Sequence, residues 1–376
     1  MTAANANAST SRMPGLDLLR GLSALWVLVF HYLALAPAQF RPEGEFYFLS
    51  VGWNGVDLFF VLSGFLIAGI LDRPGESVPG FMIRRFFRIY PAYILVVVLS
   101  LLLVKPELIG NTFLLVSHVL LFNNLVDGFG GAINGVLWTL GTEFQFYLLA
   151  AFSLLLFRAR QPWLLLIGLM LLGSILYRQL IYSHVELAHQ RFFLASQLPG
   201  MLGLFGMGVL AYWLRCRLAG FVERYFYVLA ALGGVLLYLF LSELRYYIGN
   251  YWDSDLAVVW GRFASGLVFG YLVLVFSCVP ASSGRLIKAS GAVFLGEISY
   301  GIYLVHLPVM ELLVRYLPGL AMPHWSLYLM LVLGLVLLLS AALYYLIELP
   351  FIRLGKKLSA RFQSGPARAA TYAVSP

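Results

Sequence analysis

The apolar residues of this chain fall into long blocks, without the three- or four-residue rhythm that marks a half-buried soluble helix. Blocks cover 90–104, 135–157, 163–177, 225–241, 256–280 and 325–347. Several reach about 20 residues, the length at which an α-helix crosses a hydrocarbon core of roughly 30 Å. Composition strengthens the picture. Of 376 residues, 61% are hydrophobic and 11% are charged, whereas a soluble domain carries about 25% charged residues. The pattern predicts an all-α fold, a polytopic integral membrane helical bundle.

Basic clusters punctuate the blocks: Arg84/Arg85/Arg88, Arg158/Arg160, Arg215/Arg217/Arg224, Arg285/Lys288 and Arg353/Lys356/Lys357/Arg361. The intervening loops, 36–52, 105–111, 123–134, 183–198, 243–255 and 317–324, are poorer in net positive charge. An excess of Lys and Arg marks the cytoplasmic side. All five clusters share that side only if 112–123, "TFLLVSHVLLFN", does not span. Short and carrying His118, it suits a re-entrant or interfacial helix. Ten spans remain, at 16–35, 53–71, 90–104, 135–157, 163–182, 199–214, 225–242, 256–280, 292–316 and 325–349. Both termini are then cytoplasmic.

The formal net charge of +8 is on this reading a topology signal. Nucleic-acid binding would need a basic surface with interleaved aromatics on a soluble module, which the sequence lacks. Neither a solenoid repeat nor an inverted pair of Gly/Pro-broken helices is visible. Cys216 and Cys278 have no metal-ligand spacing, so no metal and no redox cofactor are expected. Arg12, the first apolar run and Ala34-Leu35-Ala36 imitate a secretory signal. Pro37 after the apparent cleavage site, and Asp17 and Arg20 at the start of the run, argue for an uncleaved first span. Residues 1–14 read as a disordered N-terminus and 359–376 as a flexible cytoplasmic tail.

Against this apolar background the ionisable residues stand out, because each costs a few kcal/mol near a bilayer centre, roughly 2.5–3.5 on insertion scales. In "LDLLRGLSALWVLVFHY", Arg20 and His31 are about three helical turns apart on one face, roughly 16 Å, and Asp17 lies near the same stripe. Snorkelling is the alternative for Arg20 alone and an interfacial position for His31 alone, and their alignment on one stripe weighs against both together. Asn54 and Asp57 share a face at the start of "NGVDLFFVLSGF", where a carboxylate can orient a histidine, hold an acceptor hydroxyl or satisfy helix-end amides. Arg85 and Arg88, one turn apart beside Arg84, make a fork suited to phosphate, or a plain positive-inside anchor. Thr139, Glu143 and Tyr147 form an i, i+4 stripe. An intramembrane glutamate needs a partner and is a functional candidate. Ser299, Tyr300, Tyr303 and His306 sit on neighbouring faces, either as a polar site or as satisfied core hydroxyls. Glu348, two residues before Pro350, reads as a span end with an anchoring charge.

Taken together, Arg20-x10-His31, "GVDLFFVLSGF", "RRFFRIYP", "LWTLGTEFQFYLL", "SYGIYLVHLP" and "IELPFIRLGKKL" resemble the bacterial membrane-bound acyltransferase family 3, the O-acetylase type. The order and spacing of these motifs match over residues 16–358. One departure is Trp138-Thr139-Leu140 where Trp-Ser-Leu is usual. The resemblance implies a transmembrane acyltransferase domain over 15–358 in the bacterial cytoplasmic (inner) membrane. Some members carry a soluble esterase-like C-terminal domain; with the sequence ending at Pro376, none is expected. The implied reaction moves an acyl group, commonly acetyl from acetyl-CoA, onto a hydroxyl of a carbohydrate-containing acceptor such as an envelope or exported polysaccharide.

In that scheme His31 is the general base, and Glu143 or Asp57 orients its imidazole. Arg84, Arg85 and Arg88 hold the phosphates of acyl-CoA, while Arg20 guides the donor arm or pairs with Asp17. Asn54, Asp57, Trp138, Tyr300, Tyr303 and His306 are candidate substrate-binding residues. A covalent acyl-histidine relay is a second mechanism. The competing class is a transporter or flippase of a glycan or lipid that uses the same buried residues as a path. A regulatory membrane scaffold needs none of them in particular.

Overall fold

The computed structural model describes residues 12–35, 44–157, 161–317 and 325–362, apart from the side chains of 44–47, 325 and 326. The expectations for the extreme N-terminus, for Arg158/Arg160, for loop residues 36–43 and 318–324, and for the tail beyond Phe362 lie outside the described residues. All regular structure among the described residues is helical. Among the described residues, ten helices are long and apolar enough to cross a membrane, as the hydrophobic blocks predict.

In chain order the helices are α1 (Pro14–Ala34), α2 (Asn54–Leu71), α3 (Val78–Leu103), the short α4 (Thr112–Val119), α5 (Trp138–Leu156) and α6 (Trp163–His184). The short α7 (Ala188–Ala195) precedes α8 (Leu198–Arg224), α9 (Phe226–Leu244) and α10 (Arg262–Phe276). Then come α11 (Ala281–Ala289), α12 (Ala292–Tyr316), α13 (Trp325–Leu343) and α14 (Leu349–Ser359). Two π-helical turns, Leu256–Gly261 before α10 and Tyr344–Glu348 before α14, each lead into or end on a buried charged residue, Arg262 and Glu348. The lipid-facing rows are apolar: Leu164, Leu165, Leu169, Leu172 and Leu176 of α6 are all more than half exposed.

The third span differs from its expected bounds. It begins near the basic cluster and not after it, because α3 runs continuously through "RRFFRIYP" with Pro91 inside the helix. Pro79 in the first turn and the Ser77 hydroxyl, which accepts from the Gly80 N–H at 3.2 Å, start it, as capping rules favour. Arg84, Arg85 and Arg88 are therefore held on a helix and not in a loop.

The 112–123 segment is not among the candidate spans. α4 is eight residues long, too short to span, and it packs against the middle of α3. There Tyr93 donates to the His118 carbonyl at 2.9 Å and Tyr90 donates to the Val119 carbonyl at 3.0 Å. The chain then reverses through Leu121 at φ 57°. On the way back, Asn134 donates its amide to the Leu304 carbonyl at 2.9 Å. Pro308 of α12 has no N–H to offer that carbonyl, four residues earlier. Asn134 fills the vacancy and ties the returning loop to α12.

α1 packs between α12 and α2, and α2 packs on α8. The α2–α8 crossing is close because each helix meets the other's backbone at a glycine. A Cβ at Gly64 would lie 2.0 Å from the Phe205 carbonyl oxygen, and one at Gly208 would lie 2.0 Å from that of Val61. Small residues at such crossings let membrane helices gain dispersion energy where no hydrophobic drive exists between them.

Candidate active site

Three adjoining cavities run between α1, α2, α3, α5 and α12. The first, about 350 Å³, opens at the basic end and is lined by six basic side chains (Arg12, Arg20, Arg84, Arg85, Arg88, Lys356) against two acidic ones (Asp17, Glu297). The second, about 110 Å³, shares Arg20, Leu66, Arg85 and Arg88 with it and continues past Ser63, Glu143, Tyr147 and Tyr300. The third, about 310 Å³, lies at the other end around His31, Trp53, Trp138, Tyr251 and Arg262. Val56 and Tyr303 line both the second and the third, so they form the constriction between middle and far end. The excess of cationic lining at the first suits a polyanion, since guanidinium groups bind phosphate through two parallel hydrogen bonds.

His31 presents the chemistry of the far chamber. Its Nδ1 lies 3.0 Å from the Val27 carbonyl oxygen and 3.2 Å from Nε2 of His306. His306 is fully buried, and its own Nδ1 lies 3.0 Å from the Ile302 carbonyl oxygen. A carbonyl only accepts, so Nδ1 of His306 carries its proton and Nε2 is bare. Nδ1 of His31 then faces two acceptors and must carry the proton, which leaves Nε2 of His31 with a free lone pair. That tautomer is the one a general base requires. His306 arrives by helix register: it stands at the level of α12 where α1 packs alongside.

The two carboxylates expected to orient His31 are engaged elsewhere. Asp57 is bound by Arg262 in an ion pair and accepts from the Ser265 hydroxyl at 2.6 Å. Glu143 accepts from Ser63 and, at 2.7 Å, from Tyr147. Contact with the imidazole falls to His306 instead. Asn54 is fully buried and donates to the Val51 carbonyl at 2.8 Å, a helix-end contact set apart from all three cavities. His306 and Asp57 likewise line none of them, whereas Trp138, Tyr300 and Tyr303 do. Tyr300 donates to the Ile89 carbonyl at 2.9 Å, and Tyr303 and Thr139 are joined hydroxyl to hydroxyl at 2.8 Å.

At the basic mouth, Asp17 lies 2.6 Å from Arg12 and 4.0 Å from Arg20, so Arg12 is its closer partner. Arg84 pairs with Glu76 at 2.5 Å. Arg85 sits over the Tyr147 ring at 5.8 Å and Arg88 lies 3.4 Å from the Glu348 carboxylate. Glu348 is 1% exposed. Its place in the site was hidden in sequence by its position at a span end; the π-helical turn Tyr344–Glu348 turns it inward. Arg262 and Arg178 were missed as well. Arg178, also 1% exposed, donates to the carbonyls of Val258, Ala195 and Gly200. An arginine inside a predicted span is a signal in itself, and both were visible on that ground. Among the described residues no group of three or more His, Cys, Asp and Glu side chains could hold a metal ion. Both cysteines are free.

Comparison with known proteins gives the site its context. A family model described as an acyltransferase domain matches residues 13–345. The chain is 29% identical over 334 residues to the peptidoglycan O-acetyltransferase OatA of Listeria monocytogenes, covering 81% of this chain and 50% of that protein. It is 27% identical over 330 residues to the O-acetyltransferase OatA of Staphylococcus aureus, covering 81% and 51%. To nodulation protein 10 of Rhizobium leguminosarum bv. viciae it is 26% identical over 390 residues, covering 94% and 97%. The chain thus spans about half the length of the OatA proteins it matches. No solved structure matches it. With the acyltransferase model covering α1 to α13, the chain belongs to membrane-bound acyltransferase family 3.

Proposed function

We propose that this protein is a membrane O-acyltransferase that moves an acyl group, acetyl in the simplest case, from acyl-CoA to a hydroxyl of a carbohydrate-containing acceptor. The observation that carries this reading is the string of cavities joining a cation-lined mouth to a histidine with a free ring nitrogen. The basic mouth faces the cytoplasm of the bacterial inner membrane, with both termini on that side, in line with the positive-inside rule. Arg20, Arg85 and Arg88 receive the phosphates of the donor there, and Arg84, tied to Glu76, completes the positive rim. The acyl end of the donor reaches past Glu143 and Tyr300 towards Tyr303.

The acceptor lies in the far chamber, with its reacting hydroxyl on Nε2 of His31. Nε2 takes the hydroxyl proton as the oxygen attacks the thioester carbonyl. The tetrahedral intermediate collapses, the C–S bond breaks, and the imidazolium returns the proton to the departing thiolate. His306 accepts from Nδ1–H throughout, so the positive charge that forms on His31 is spread towards a neutral partner. A well-placed general base contributes about 10²–10⁴-fold.

The test is transfer of labelled acetyl from acetyl-CoA in proteoliposomes and in cells lacking the protein, read by mass spectrometry of envelope glycans. His31→Ala is expected to abolish label transfer while the protein still inserts. Full transfer by that variant refutes the catalytic reading. Glycan movement that persists in the absence of acyl-CoA supports the transporter alternative.

A further inference from the structure

Two of the side chains at the basic mouth are carboxylates, and the packing of α1 on α12 fixes them there. A Cβ added at Gly296 would lie 2.7 Å from the Asp17 Cα, so the two backbones meet at that level. Glu297, the next residue, is thereby brought beside Asp17, and both acids line the first cavity together with Arg20. Left bare, they repel each other and the phosphates of any donor that enters past them. Asp17 also stands three residues before Arg20, one helical turn, where opposite charges readily pair.

Arg12 resolves both conflicts. It stands just before α1, outside the helix. Its Nε donates to Oδ2 of Asp17 at 2.6 Å, its Nη1 donates to the Glu297 carboxylate, and its Nη2 donates to the Val293 carbonyl at 3.3 Å. One guanidinium thus ties the first turn of α1 to α12 at three points, through a planar fork of donors that lysine lacks. Arg20 is left with Oδ1 of Asp17 at 4.0 Å, beyond hydrogen-bond length. Among the described residues no hydrogen bond occupies its guanidinium.

We infer that Arg12 is a positioning residue for the donor: by holding Asp17 and Glu297 it keeps Arg20 free for a phosphate of acyl-CoA. Without Arg12, Asp17 turns to Arg20 one helical turn away, and Glu297 faces the mouth uncompensated. The guanidinium that should meet phosphate is then occupied by a carboxylate. Arg12 acts through the two acids and not by touching the donor. This inference rests on the basic mouth being the acyl-CoA site.

Donors with and without phosphate test it. Acetyl-CoA is compared with S-acetylpantetheine, which carries the same thioester arm and no phosphate, in labelled acetyl transfer in proteoliposomes. Binding of labelled CoA to each variant is measured in parallel. Arg12→Gln is expected to raise the KM for acetyl-CoA and the Kd for CoA about fivefold, the upper end of what a half-exposed ion pair contributes. The kcat, and the KM for S-acetylpantetheine, are expected to stay unchanged. Arg12→Lys keeps a cation at the joint between α1 and α12 and serves where the glutamine variant fails to insert; its rise is expected to be smaller, about twofold, because an ammonium lacks the fork that spans both acids. Adding Asp17→Asn and Glu297→Gln to Arg12→Gln is expected to return both constants to their unmodified values, since no acid is left to occupy Arg20. A KM for acetyl-CoA unmoved by either Arg12 substitution overturns the inference. So does a rise that the two acid substitutions fail to reverse, which makes Arg12 itself a phosphate ligand, and so does an equal rise for S-acetylpantetheine, which marks a packing defect. The expected pattern of CoA binding without transfer by the unmodified protein keeps the role of Arg12 and removes the acyl-transfer reading instead. No CoA binding to the unmodified protein overturns both.

Discussion

Replacing His306 with leucine removes the acceptor that faces Nδ1 of His31 at 3.2 Å and leaves a side chain of similar bulk. The Val27 carbonyl remains 3.0 Å from the same nitrogen, so the proton stays on Nδ1 and Nε2 stays bare. The loss is therefore far smaller than the ~10⁴-fold that follows when a catalytic histidine is held in the wrong tautomer. What disappears is one hydrogen bond to a ring that is positive in the transition state. Hydrogen bonds to charged groups contribute about 1.5–3 kcal/mol. At 1.36 kcal/mol per decade that is a roughly 10- to 150-fold fall in kcat, with the KM for either substrate little changed. His306→Gln offers an amide oxygen near the lost nitrogen and is expected to recover most of the rate. Single-turnover transfer of labelled acetyl in proteoliposomes measures both. A leucine variant with unchanged kcat refutes the role assigned to His306. So does a glutamine variant as slow as the leucine one, since that pattern belongs to a packing defect.

Three further outcomes follow from buried contacts. Arg88→Met strands the Glu348 carboxylate, which is 1% exposed and 3.4 Å from that arginine. Breaking a buried pair costs about 3–5 kcal/mol, so thermal unfolding in detergent is expected to shift down sharply. Arg88→Met with Glu348→Met is expected to recover that stability while the KM for acyl-CoA stays raised; full recovery of both would mean that Arg88 does not meet the donor. Gly208→Ala places a methyl 2.0 Å from the Val61 carbonyl oxygen and is expected to cost about 1–3 kcal/mol by overpacking, read as a lower unfolding temperature. Asn134→Leu leaves the Leu304 carbonyl, 2.9 Å away, without its partner beside Pro308. The expected cost is about 1–3 kcal/mol, together with weaker acceptor binding, because the same loop carries Val136 and Trp138 to the far chamber.

The bundle was legible because hydrocarbon leaves a backbone no hydrogen-bonding partner except itself, so a long apolar block has to be a helix. The parity of the basic clusters likewise isolated 112–123 as the apolar segment that does not span. Span ends were less legible. "RRFFRIYP" reads as a loop followed by a span, because Pro91 and the arginines look like punctuation, yet α3 passes through all of them. An interior proline is tolerated where other groups satisfy the freed backbone, as Asn134 does for Leu304 beside Pro308. That compensation comes from 170 residues away, beyond the reach of any local pattern.

Candidate chemistry divided in the same way. His31, Arg20, Arg85, Arg88, Glu143, Tyr300 and Tyr303 could be named from their types and helical spacing, because polar groups inside an apolar block carry a cost that needs a reason. Which of them touch was undetermined, since a helix fixes only the face a residue shares with its neighbours at i+3 and i+4. Asp57 could serve His31 by sequence and in fact holds Arg262, 205 positions later. His306 has the spacing of a core residue and becomes the partner of His31 because α12 packs along α1 at that level. The sequence by itself determined the helices, their number and the stock of polar groups among them, since these follow from local hydrophobicity and length. Only the tertiary structure decided the pairing of those groups and the line of cavities they enclose, because both depend on the register between helices distant in the chain.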